Sequence, residues 1–126
     1  MERNSFKITK HVIDGNSIVF YHYDRDFDLT THSFTEWEER EWFRLRVLTE
    51  DKSVSLTSNA RITFATNKKG GLGNCSEAEV MRYFKNNHIG KLIKSEVLPL
   101  YDENPYGKSV VVGSYVYEVY DLSNVI

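Results

Sequence analysis

One cysteine, two prolines and no long apolar stretch mark this chain of 126 residues, and each scarcity removes a class of protein. A lone thiol at Cys75 forms no internal disulfide, so the chain carries no signature of a stapled secreted domain. The opening residues Met1-Glu-Arg-Asn-Ser5 lack the apolar core of a secretion signal, and the expectation from both features is a reducing, cytoplasmic setting. Apolar runs such as Val110-Val-Val112 fall far short of the roughly 18 residues that span a bilayer, so no membrane contact is expected. No tract repeats and none is low in complexity. The expected organisation is one globular domain over 1–126, long enough to bury a core without metal or disulfide.

What the chain does contain is aromatic. Hydrophobic residues make up 40% and aromatic residues 13%, with eight tyrosines, a composition that folds and that favours half-buried sheet faces and contact surfaces. The net charge of −2 exerts no global pull on nucleic acid, but charge is segregated along the chain. Asp24 to Asp51 holds nine acids against four bases, whereas Arg61 to Lys94 holds seven bases against two acids. Two such segments neutralise each other across a fold or stand as separate patches.

Periodicity predicts mostly strands. Phe6 to Ile13 and Ser17 to Tyr23 alternate around the turn signal Asp14-Gly15-Asn16, which reads as a hairpin. Asp24 to His32 reads as a loop or strand end. Ser33 with Glu36, or Thr35 with Glu38, fits a capping box and predicts a short helix near 34–41. Trp42 to Thr49 alternates, with Phe43, Leu45 and Val47 opposite Arg44 and Arg46; Ser53 to Thr57 and Ala60 to Thr66 then complete a predicted meander. The main helix is predicted over 76–89, capped by Ser76 with Glu79 and ended by Gly90, with Val80, Met81, Phe84 and His88 on one face. Lys91 to Leu98 and Ser109 to Asp121 are predicted strands, joined by a turn-rich loop from Pro99 to Lys108. The expected fold class is α+β: about six antiparallel strands in one sheet, with the main helix on one face.

No catalytic set emerges. The glycine loop before the helix is the most suggestive feature, since free amides, two lysines and a helix dipole attract an anion; its candidates are Lys68, Lys69, Gly70, Gly71, Gly73 and Ser76. It lacks the Lys-Ser/Thr of a P-loop. Asp24, Asp26 and Asp28 open like a calcium loop but have Leu29 at the sixth position and Thr35 at the twelfth. His22, Asp24 and His32 lack metal-ligand spacing, so no metal and no cofactor is expected. Cys75 stands where a helix dipole would activate it, with no base in the pattern, and His88 is expected in the core.

The function expected first is a small accessory protein that binds another protein as an inhibitor, immunity or adaptor module. Its expected contact residues are Asp24, Asp26, Asp28, Trp37, Trp42, Arg44, Arg46, Tyr115 and Tyr117, with homodimerisation through a sheet edge a further expectation. A nucleic-acid binder using the basic centre 61–94 comes second, and a binder of, or enzyme on, a phosphate-bearing small molecule at 68–74 third.

Overall fold

A computed structural model describes residues 7–59, 63–64, 75–103 and 106–126. β1 (Ile8–Asp14) and β2 (Ser17–Asp24) form the predicted hairpin, with Gly15 at φ 58° in the first position of the two-residue turn, where glycine meets no steric penalty. A two-residue pair, β3 (Phe27–Asp28) and β4 (Ser33–Phe34), follows, and then β5 (Glu38–Arg46) pairs antiparallel with β2. The order β1-β2-β5 makes one three-stranded sheet. β6 (Ser53–Thr57), β9 (Lys91–Glu103) and β10 (Ser109–Asp121) make the second, in the order β6-β10-β9. Between them come β7 (Thr63–Phe64), which pairs with β8 (Cys75–Ser76), and the helix α1 (Glu77–Asn86).

The helix links the sheets. The Ser76 hydroxyl accepts the Glu79 amide at 3.2 Å, as the capping pattern predicts. The Glu79 carboxylate accepts the Ile8 amide of β1, while the Glu77 carboxylate accepts the Thr57 amide of β6 at 3.2 Å. Val80, Met81 and Phe84 face inward, and one core cluster joins them to Ile18, Phe20 and Phe43 of the first sheet and Leu56, Tyr120 and Leu122 of the second. The architecture is α+β, mostly antiparallel.

Several local expectations give way to tertiary pairing. The short helix near 34–41 is absent: Ser33–Phe34 and Glu38–Arg46 are strands, because β2 offers Glu38 to Arg46 a continuous ladder that outweighs a local cap. The meander is also absent, since β6 pairs with β10 and not with β5, so two sheets form instead of one. Of Ala60 to Thr66, only the backbone of 63–64 lies within the described residues. The predicted loop from Pro99 is strand as far as Glu103, which an edge position permits despite the missing proline N–H.

The helix stops earlier than its stripe suggests. Asn87 caps it, His88 takes φ 53°, and the Ile89 amide reaches back to the Phe84 carbonyl at 3.0 Å, the Schellman pattern with Ile89 packed into the core. His88 is therefore exposed and is not a core residue. Gly90, beyond the helix end, is required by close packing, since a Cβ there would lie 2.7 Å from Leu122 Cδ2 and 2.9 Å from the Asp121 carbonyl.

Candidate functional site

β9 and β10 pair from Lys91 opposite Asp121 to Glu103 opposite Ser109, yet β6 supports only Tyr117–Asp121. Seven steps along β9, from Glu96 opposite Tyr117 to Glu103 opposite Ser109, at roughly 3.3 Å each leave about 23 Å of two-stranded ribbon beyond the part that β6 supports. The Ser58 amide donates to the Val116 carbonyl and the Ser58 hydroxyl accepts the Val116 amide, which ends the support at the root.

The arm has two faces. Paired residues share a face and faces alternate along each strand. Glu118 and Tyr120 are buried under α1, so their face continues outward through Val116, Val97, Ser114, Pro99, Tyr101 and Val111. These six bear no charge, and the face ends in the Glu103–Ser109 pair. Val97 is 71% exposed, Val111 58% and Tyr101 54%. The opposite face of the arm carries Tyr115, Leu98, Leu100 and Val110, with Glu96 opposite Tyr117 at its root and Asp102 opposite Val110 near its tip. The face of Val97, Pro99 and Tyr101 is thus an extension of the surface that α1 covers at the root.

Where the arm leaves the body, Ser58, Ala78, Met81, Arg82, Lys85 and Val116 line an open groove of about 250 Å³. Beneath it lies the buried Glu118 carboxylate, 2.9 Å from Lys85 Nζ, 3.0 Å from the Tyr120 hydroxyl and 3.3 Å from the Ser95 hydroxyl. Burial, reinforced by this carboxylate, raises the Tyr120 phenol far above its ordinary range, which fixes it as a donor.

Both edges of the arm resist strand addition. β9 is an edge strand with Pro99 near its middle, where an N–H is missing, and β10 carries a register shift between Val111 and Gly113. What the arm offers is its face.

The residues nominated from sequence are dispersed. Trp42 is buried: it is 2% exposed and stacks on His22 at 4.4 Å, because a register shift at Phe20/Tyr21 leaves Trp42 an extra residue in β5 and turns both Trp42 and Phe43 inward. Trp37 stacks over the Arg25 guanidinium at 4.4 Å, and Phe34 takes its other contact at 4.1 Å. Asp26 is held by Arg40 through two bonds of 3.0 Å, with Asp24 at 3.7 Å from the same group, while Asp28 accepts the Thr30 amide at 2.8 Å. Those hydrogen bonds to Asp26, then to Glu38, raise the Arg40 pKa. Arg44 is bonded to Glu41 and Asp14, each at 2.8 Å, and Arg46 is exposed on the same outer face. Tyr117 donates to Ser55 at 3.0 Å, and Tyr115 lies farther along the same face of the arm.

Among the described residues no cluster of three or more His, Cys, Asp or Glu can hold a metal. Lys68, Lys69, Gly70, Gly71 and Gly73 lie outside the described residues, and the remaining member of that set, Ser76, spends its oxygen on the helix cap between two acids, Glu77 and Glu79. The Cys75 thiol is 1% exposed and burial pushes it up to about 12, the reverse of activation. Sequence reasoning missed Val97, Tyr101 and Val111; the available signal was an uncharged alternation, Val97-Leu-Pro-Leu-Tyr101, inside a segment read as half loop. No described helix is long and apolar enough to cross a membrane. No family model, no curated protein and no solved structure matches the chain.

Proposed function

We propose that the protein is a protein-binding module whose contact surface is the face of the β9–β10 arm that carries Val97, Tyr101 and Val111. The observation that carries this reading is the continuation of a core-type sheet face about 23 Å beyond the last residues that β6 supports. An isolated two-stranded ribbon is marginal in water, and contiguous exposed apolar surface on a small domain marks a contact site. With both edges guarded, recognition proceeds by packing a face and not by adding a strand. Within the expectation of an accessory binding protein, the contact residues move from the acidic segment to Val97, Tyr101 and Val111.

The test is capture from nuclease-treated cell lysate on the immobilised chain, compared with a Val97→Glu/Val111→Glu variant that melts at the same temperature. Wild type is expected to retain a protein, either an unlike partner or untagged copies of itself, in stoichiometric amount, and the variant to lose it. Equal retention by both chains would overturn the assignment of the arm. Recovery abolished by the nuclease would favour a nucleic-acid ligand instead.

A further inference from the structure

We infer that the turn Asp14–Gly15 is a site of spontaneous isoaspartate formation, and that the Arg44 guanidinium holds this reaction back in the folded chain. The site stands apart from the contact surface of the arm. The sequence contains no other Asp-Gly step and no Asn-Gly step. Glycine matters at the second position because, with no Cβ, its backbone nitrogen meets little obstruction in approaching the preceding carboxyl carbon. The Gly15 nitrogen bonds to Asp14 Cγ, a carboxyl oxygen leaves as water with the amide proton, and a five-membered succinimide closes. Water then reopens the ring. Attack at Cγ restores aspartate, whereas attack at the α-carbonyl routes the main chain through Cγ and adds one carbon to the backbone. No co-reactant other than water enters.

The fold leaves room for this step and opposes it at one contact. Asp14 closes the β1–β2 ladder opposite Ser17, its side chain is 61% exposed, and nothing stands within 4 Å of the place a Cβ would take at Gly15. Arg44 Nη1 reaches from β5 across β2 to hold Asp14 Oδ2 at 2.8 Å, while its Nε is fixed on Glu41 at 2.8 Å. Cγ is thereby drawn sideways over β2, whereas ring closure needs it turned along the chain toward the Gly15 nitrogen. Asp14 must give up that bond and its place in the ladder first. The product also fits the turn badly. An added backbone carbon lengthens a two-residue turn in which Gly15 sits at φ 58°, and it displaces Asn16, whose carbonyl accepts the Val47 amide at 2.8 Å.

The experiment is incubation of the full chain in H₂¹⁸O followed by peptide mass spectrometry, since each passage through the ring adds one ¹⁸O that fragment ions assign to residue 14. The native chain is expected to take up label about tenfold more slowly than the chain in urea, the factor for releasing one ordered residue. Arg44→Gln, with an unchanged thermal midpoint, is expected to label about threefold faster than wild type, the scale of an exposed ion pair. Arg46→Gln, a change on the same outer face, should label at the wild-type rate. The isoaspartate form, separated by chromatography, should exchange its Val47 amide faster than the parent. No label at residue 14 in urea would overturn the site. Equal rates in wild type and Arg44→Gln would overturn the guarding contact, and so would equal acceleration by Arg44→Gln and Arg46→Gln, because charge on the face and not the bond to Asp14 would then set the rate.

Discussion

Glu118 and Val97 lie on one face of the same two strands, and the carboxylate is 3% exposed while the valine is 71% exposed. Polarity alone would have assigned them the other way. At the root, α1 lies over the sheet and supplies Lys85, and β10 itself supplies the Tyr120 hydroxyl, so the acid is buried with its charge answered. Four residues farther out along β10, at Ser114, none of the described elements lies over the ribbon. The contrast shows that burial in this chain is allotted by what reaches a strand.

Substitutions test this contrast between root and arm. Its largest expected effect is a labelling ratio. In dilute solution a Val97→Cys thiol should react with a disulfide reagent at pH 8 at the rate of an open cysteine, whereas Cys75, pushed up to about 12 and buried, should react on the order of 10³-fold more slowly until the chain is unfolded. Fast labelling of Cys75 in the native chain would contradict the packing of β8. Next is truncation: Trp42→Ala should cost about 3–5 kcal/mol in urea denaturation, and Val97→Ala less than about 0.5 kcal/mol. Comparable losses at the two sites would remove the distinction between body and arm.

Gly90→Ala probes the close approach of the helix exit to the end of β10. Its φ of 69° and the 2.7 Å and 2.9 Å contacts awaiting a Cβ predict a loss of about 3 kcal/mol, again by denaturation. Glu118→Ala should cost about 2 kcal/mol, because the Tyr120 hydroxyl loses its acceptor while Lys85, half exposed, returns to water. A neutral Glu118→Ala would mean that the root groove does not depend on its carboxylate.

The smallest effect is a pH dependence. His11 stacks edge-on against Tyr83, with Nδ1 2.8 Å from the hydroxyl, and burial lowers its pKa below 6.5. The unfolded chain therefore takes up a proton before the folded one does. Stability should be full above about pH 6.5 and fall as pH drops from there toward the folded value, and His11→Gln should flatten this slope. A slope of opposite sign in the wild-type chain would contradict the burial of the ring.

Much of the fold was legible where a pattern was local and strong. The β1–β2 hairpin, the inward set Phe43, Leu45 and Val47 against outward Arg44 and Arg46, the Ser76 cap and the full span of β10 follow from alternation, turn glycine and capping chemistry. The short helix near 34–41 failed because a capping box is worth little against a ladder with β2. His88 failed because a left-handed residue after Asn87 breaks the helical period just before it would bury the ring. The site was the least legible part. Val97 and Tyr101 look like ordinary core-facing strand residues, and nothing in their spacing says that the helix ends too soon to cover them.

The sequence by itself determined the strand-rich α+β class, the faces of individual strands and the cap of α1, because these depend on neighbours one to four residues away. The tertiary structure decided that β6 joins β10 and leaves β5 to the other sheet, that Trp42 and Glu118 are inside, and that an apolar ribbon stands outside. Those outcomes depend on pairings between distant residues, from Phe20 with Phe43 to Thr57 with Tyr117, where the entropy of closing the chain is offset only by the whole core together.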